Sequence, residues 1–252
     1  MQRCGYGFNV TTETGTVLSK SKVNRAGESL RKQSSWVNSH APAQERPDEL
    51  NDALETLFTW RASHSKPLQT ASMGLRSRVT TEGFQVEVSQ RLKRVPTIID
   101  KLSREPKMSL ARMADIGGAR AVLNSIDEVR RVEERLCKMR PPKIYHDYID
   151  EPKSSGYRGI HVISEYNDRL IEVQLRTRMM HEWAYMVERV AGQMNIDVKS
   201  SKGPQAVQDW FQAVSEALAL EERGLTVDER LAERVVSLRA EAQPYLRMGR
   251  RP

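Results

Sequence analysis

In four short stretches between Ala119 and Arg176 the apolar residues stop recurring every three or four positions and begin to alternate, which commits the chain to a fold built on a sheet. Four short runs read as strands: Ala119–Leu123, Ile144–Ile149, Gly159–Tyr166 and Leu170–Arg176. Asn167 and Asp168 join the last two as a tight hairpin, because both residue types accept the positive φ that a two-residue turn demands. A shorter alternating run, Phe84–Val88, adds a candidate fifth strand.

Helical spacing governs the rest. Ser21 to Trp36 places Val23, Ala26, Leu30 and Val37 on one stripe, with Ser21 as the expected N-cap. From Pro47 to Ala62 the stripe is Leu50, Leu54, Leu57 and Phe58, with Pro47, Asp48 and Glu49 suited to a first turn. A helical or mixed stretch follows Lys66–Pro67, Pro96 opens a helix to about Arg104, and Ile126–Met139 turns Val129, Val132 and Leu136 inward. Further helices are expected over about 179–193, 204–223 and 228–242. Val207, Phe211, Val214 and Leu218 form a stripe that serves an intrachain core or a homo-oligomer interface. The expected fold class is α+β, a mixed sheet of four to five strands flanked by helices. Residues 21–200 form the main domain, 204–246 a pair of C-terminal helices, and 1–20 and 247–252 poorly ordered tails.

Composition narrows the class of function. No apolar run approaches the ~18 residues of a membrane span, and the first thirty residues lack the apolar core of a secretory signal. Cys4 and Cys137 are too far apart in sequence for a metal-type cluster, so the expectation is a cytoplasmic protein with no membrane partner. The net charge is +7, and the segment Arg76–Arg112 holds nine basic against four acidic residues. Such clustering suits a polyanionic partner, nucleotide phosphates or nucleic acid, although a solvated helix face carries the same signature.

Four short clusters carry candidate chemistry. Asp115-Ile-Gly-Gly-Ala-Arg120 sets a carboxylate before a Gly-Gly turn at a strand edge, where it can ligate Mg²⁺, although Asp-x-Gly turns are common. In Glu172-Val-Gln-Leu-Arg-Thr177 alternation puts Glu172, Gln174 and Arg176 on one face, either a site or an exposed sheet surface. If Asp115 and Glu172 converge across neighbouring strands, they make a two-carboxylate metal site. The run from Asp147 to His161 offers Lys153 as a phosphate ligand, Tyr157 as a stacking ring and Arg158 as a second cation, with Gly156 and Gly159 beside the ring. His161 follows on a strand, where a single histidine is more often structural than catalytic. The fourth cluster is Arg91-Leu-Lys-Arg94, with Lys101 beyond Pro96.

Taken together and in order, these clusters resemble the synthetase domain of the RelA/SpoT family, the (p)ppGpp alarmone synthetases. The likeness runs from about Arg91 to Glu188 through R-x-K, D-I-x-G-x-R, D-Y-I-x-x-P-K-x-x-G-Y-R-x-x-H and E-x-Q-x-R-T. The start of the first helix, Ser19-Lys-Ser-Lys-Val-Asn-Arg-Ala-Gly27, is also similar to small synthetases. The resemblance implies a nucleotidyltransferase-like domain that moves the β,γ-pyrophosphate of ATP to a ribose 3′-hydroxyl. It implies Mg²⁺ held by Asp115 and Glu172, with Glu172 also the base. On the donor side it implies Arg91 and Arg120 around adenine and Lys93 and Lys101 on phosphates. On the acceptor side it implies Tyr157 stacking on guanine, with Lys153, Arg158, His161, Gln174, Arg176 and His181 around it.

The chain departs from the family pattern in places. Ser154-Ser155 stand where an Asn before the glycine is usual, Gly159 replaces a common Ser, and His181 occupies a position often held by Asp or Asn. A later Glu-His pair of the family reads Glu188-Arg189. The one His-Asp pair, His146–Asp147, falls inside the D-Y-I motif, so no hydrolase site is expected and the chain reads as a small, stand-alone synthetase. Two enzyme readings follow from the resemblance. The first makes (p)ppGpp-type alarmones on GDP, GTP or an adenosine nucleotide. The second is a toxin-like relative, with an antitoxin partner, that pyrophosphorylates the 3′-CCA end of tRNA and stops translation.

Overall fold

A computed structural model describes residues 18–34, 47–194 and 204–248. The expected tails up to residue 17 and after 248, and Val37 of the first stripe, lie outside the described residues. The chain divides into two units. One takes in residues 1–60 and 95–112, and the other 61–94 and 113–252.

The smaller unit is helical. Helix α1 (Lys20–Lys32) is capped two residues earlier than expected, because Ser19 rather than Ser21 accepts the amide of Lys22, at 3.2 Å. It packs on α4 (Val95–Arg104) and on a 3₁₀ turn, Leu110–Arg112. Arg31 ties these together by donating to the carbonyls of Leu102 and Met108, and Asn24 accepts from the amide of Ala111 at 3.0 Å. Gly27 lies against the turn: a Cβ there would stand 2.8 Å from the Leu110 Cβ. Alanine gains about 0.8–1 kcal/mol in helix propensity, but overpacking a rigid contact costs about 1–3 kcal/mol. Gly27→Ala is therefore expected to lose about 1 kcal/mol net, read from a denaturant midpoint. A gain in stability would show that the contact yields. Helix α2 (Asp48–Ala62) buries Leu50, Ala53, Leu54, Leu57 and Trp60. Phe58, expected on that stripe, lies one residue off it and is 54% exposed.

Among the described residues the larger unit holds five strands: β1 (Val88–Leu92), β2 (Gly117–Leu123), β3 (Ile144–Asp147), β4 (Ile160–Tyr166) and β5 (Arg169–Thr177). Their order is β1-β2-β5-β4-β3, with β2 and β5 parallel and every other pair antiparallel, which is the mixed sheet expected. Asn167 and Asp168 take φ of 47° and 60° in the β4–β5 hairpin.

Two strand boundaries differ from expectation for local reasons. The Phe84–Val88 run does not form the fifth strand. Residues after α3 (Ser65–Thr81) first close that helix, with Gly83 at φ 80° and the Phe84 amide returning to the Val79 carbonyl. Pairing with β2 begins only at Val88. Likewise β3 stops at Asp147 rather than Ile149, because Asp147 Oδ1 accepts the amides of Ile149 and Asp150 in an Asx turn.

Helices α3 and α5 (Ile126–Met139) pack on the sheet, and its core includes Leu75, Val79, Ala121, Val132, Val162 and Val173. After β5 come α6 (Arg178–Met194), α7 (Gln205–Glu222) and α8 (Glu229–Met248), the last running beyond its expected end at 242. Trp183, Ala184 and Val187 of α6 pack with Val207 and Phe211 of α7 and Ala242 of α8. The Val207–Leu218 stripe thus serves the intrachain core. Among the described residues no helix is long and apolar enough to cross a membrane.

Candidate active site

Residues paired across strands project to the same side of a sheet. The registers Arg91↔Gly118, Gly118↔Glu172, Arg120↔Gln174 and Gln174↔His161 therefore gather Arg91, Arg120, Glu172, Gln174 and His161 on one face. Arg176 lies two residues beyond Gln174, and His146 pairs with His161, so both share it. The alternate residues, Ala119, Ala121, Val173 and Leu175 among them, fill the core on the other face. The alternation expected for Glu172, Gln174 and Arg176 is what the strand shows.

At the β1–β2 end, Lys93 Nζ meets Asp115 Oδ2 at 2.9 Å, and the Lys93 amide extends the ladder to the Ile116 carbonyl. Between the strand bearing Arg91 and the strand bearing Glu172 lies Gly118. A Cβ at Gly118 would meet nothing nearer than two backbone oxygens at 4.0 Å, so the sheet surface there is open. Arg120 is half-buried, and its guanidinium is held below the ordinary arginine value by burial and then by repulsion from Arg176 and Arg91. Three guanidiniums crowd one face, an arrangement that suits an incoming polyanion.

Toward β4 the face becomes a hydrogen-bonded network. His161 Nδ1 is 2.9 Å from Glu172 Oε1, and Gln174 Nε2 donates to Glu172 Oε2 at 2.6 Å. The Tyr157 hydroxyl lies 2.5 Å from His161 Nε2 and accepts from Arg176 Nε and Nη2 at 3.1 and 2.8 Å. Arg176 Nη2 also donates to Gln174 Oε1 at 2.8 Å. Burial pushes the Tyr157 phenol above its ordinary value, so it stays protonated at neutral pH. The Arg176 guanidinium lies 4.9 Å from the centre of the Tyr157 ring. Lys153 Nζ sits 4.4 Å from the centre of Tyr148 and 5.3 Å from that of Tyr157.

Beside this network is a cavity of about 190 Å³. Lys153, Ser155, Tyr157, His161, Gln174 and Arg176 line its sheet side. Trp183, Ala184, Val187 and Glu188 of α6 and Gln208 and Phe211 of α7 make its other wall. Gly156, at φ 86°, lets α7 come close: a Cβ there would stand 3.1 Å from the Gln212 Cα and the Ser215 Cβ. Ser215 Oγ donates to the Gly156 carbonyl at 2.6 Å, fixing helix to loop.

Most of the sequence-predicted residues meet here, but not all. Arg158 does not line the cavity. Neighbouring residues of the loop alternate in direction, and Arg158 turns inward to an ion pair with Glu222 of α7 at 2.5 Å, both side chains buried. Lys101 belongs to the smaller unit, on α4. His181, on the first turn of α6, does not line the cavity. Burial, then the charges of Arg120 and Arg176, lower its pKa, leaving the ring neutral at neutral pH. The basic residues of Arg76–Arg112 are divided between the two units, and Arg76 and Arg78 donate to the carbonyls of Val88 and Gly74. The sequence reading missed the helical wall. The apolar spacing of Trp183, Ala184 and Val187 signals a packed face but not what faces it, and nothing marks Gln208.

Cationic side chains and Glu172 on an open sheet face, with Asp115 on the segment leading into β2 and a part-apolar cavity alongside, suit an anionic ligand. The sequence pattern described as the region found in RelA / SpoT proteins matches residues 90–191. A GTP pyrophosphokinase of Bacillus subtilis, YjbM, is 30% identical over 169 residues, 62% of this chain and 72% of that protein. The crystal structure of small alarmone synthetase 1 from Bacillus subtilis superposes with a TM-score of 0.54 at 25% identity, covering 74% of this chain and 97% of that one. The same enzyme bound to its product pppGpp gives 0.54 at 26% identity, over 73% and 98% of the two chains. The chain belongs to the RelA/SpoT family, and its reaction class is that of a nucleotide pyrophosphokinase, transferring pyrophosphate between nucleotides.

Proposed function

We propose that the sheet face binds ATP and passes its β,γ-pyrophosphate to the 3′-hydroxyl of a guanosine nucleotide, GDP or GTP, seated in the cavity. The observation that carries this reading is the open surface over Gly118, flanked across the strands by Arg91 and Glu172, with Asp115 just before it in the chain and Arg120 just beyond. Arg91 pairs with Gly118 and Arg120 lies two residues on, so the two arginines are diagonal neighbours. Such neighbours stand about 7–8 Å apart, twice the ~3.5 Å contact distance of stacked planar groups. That spacing leaves room for the two side chains to reach opposite faces of a purine. Lys93 reaches the donor phosphates from beside Asp115.

Mg²⁺ suits the carboxylates of Asp115 and Glu172, which supply only oxygen donors beside a residue with no side chain. Among the described residues no group of three or more His, Cys, Asp or Glu could hold a metal ion, and a two-carboxylate site completed by substrate phosphates and water is how Mg²⁺ is commonly bound. Bound there, the ion offsets charge on the transferred phosphates. Glu172 takes the proton from the acceptor hydroxyl, whose oxygen bonds to the β-phosphorus. The bond from that phosphorus to the oxygen bridging to the α-phosphate breaks, and AMP leaves with that oxygen.

On the acceptor side Lys153 opposes the 5′-phosphates, while the Tyr157 ring and the α6–α7 wall enclose the base. Purified protein given ATP labelled at the β-phosphate, with Mg²⁺ and one acceptor at a time, is expected to label GDP and GTP. Label on deacylated tRNA and on neither guanosine nucleotide would overturn this assignment in favour of a translation-blocking enzyme.

A further inference from the structure

Arg176, Gln174, Glu172, His161 and Tyr157 form a closed circuit whose hydrogen-bond directions are set by its two ends. Arginine can only donate and a carboxylate only accept, so every group between them is fixed in direction. One arm runs from Arg176 through the amide of Gln174 to Glu172 Oε2. The other runs from Arg176 to the Tyr157 hydroxyl, then to His161 Nε2, and from His161 Nδ1 to Glu172 Oε1. The Tyr157 oxygen receives two N–H groups from Arg176, so its own hydrogen must go to His161. That fixes His161 as the tautomer with its proton on Nδ1, facing the carboxylate. Both oxygens of Glu172 are thereby held by directed donors, and the plane of the carboxylate is set from two sides. Arg176 is itself immobilised, 6% exposed and packed against the loop glycine Gly159.

We propose that the Tyr157 hydroxyl and Arg176 are positioning groups for the base Glu172, acting through His161 and Gln174, in addition to the ring face that Tyr157 offers the acceptor. The inference rests on the reading of Glu172 as the base. It assigns the phenol oxygen a task distinct from stacking: without it, His161 Nε2 has no donor, the other tautomer becomes available, and Glu172 Oε1 loses its directed partner. Groups that orient a reacting residue in this way typically contribute about 10–100-fold in activity.

The test separates ring from hydroxyl. Tyr157→Phe keeps the ring and removes only the oxygen, so kcat for pyrophosphate transfer to GDP is expected to fall about 10-fold or more while the KM for GDP stays within about twofold. Arg176→Lys keeps the charge but loses the fork that feeds both arms, and is expected to lower kcat in the same sense. Wild-type kcat in Tyr157→Phe overturns the proposal, and so does a rise confined to KM, which would place the hydroxyl on the acceptor itself. Glu172→Gln, measured alongside, tells the two failures apart. If it is inactive while Tyr157→Phe is normal, only the positioning role is lost. If it is active, the reading of Glu172 falls, and this inference with it.

Discussion

Glu172→Gln is expected to reduce pyrophosphate transfer by about 10²–10⁴-fold, the usual contribution of a positioned general base, while leaving the protein folded. The amide preserves shape, but only one of its two heads can accept, whereas both His161 and Gln174 donate to the carboxylate. One of those contacts is lost along with the charge. Asp115→Asn is expected to act in the same direction, since Lys93 then loses its anionic partner and the proposed ion loses a charged ligand. Initial rates of labelled transfer, taken with a thermal melt on the same preparations, check both. Activity above about a tenth of wild type in either folded variant is incompatible with their assigned roles.

The second large effect is on stability. Arg158 and Glu222 form an ion pair with side chains 4% and 5% exposed, and Glu222 also accepts from the Thr177 hydroxyl at the end of β5. Removing one member leaves the other charged and buried, which costs about 3–5 kcal/mol. Arg158→Ala is therefore expected to lower the melting temperature by on the order of ten degrees. Replacing both residues by methionine should recover much of that loss, because a well-packed apolar pair avoids the desolvation of both ions. If Arg158 were an acceptor ligand instead, Arg158→Ala would melt normally and raise the KM for GDP.

What the sequence made legible follows physical range. Alternation along β5 needed only neighbouring residues, and it placed Glu172, Gln174 and Arg176 on one face correctly. The Asn167–Asp168 hairpin was equally local. Asp147 shows the limit of such reading: hydropathy carries β3 on to Ile149, but a side-chain oxygen capturing two amides ends the strand early. Arg158 marks a different limit. Within its motif it resembles another phosphate cation, and what turns it inward is Glu222, 64 residues further along the chain. The wall made by Trp183, Glu188 and Gln208 was illegible for the same reason, since it exists only once α6 and α7 pack beside the sheet.

The parallel pairing of β2 with β5 bears on how the catalytic centre comes into being. Asp115 leads into β2 and Glu172 lies on β5, while α5, β3 and β4 intervene in sequence. Hairpins and helices close over short separations, but this one pairing needs a long loop to close first, and such contacts form late. A newly made or partly unfolded chain can thus hold its local elements, and even the arginine-bearing β1–β2 ladder, with no base opposite the nucleotide. The proposed base thus joins the arginine-bearing face only once the sheet is whole.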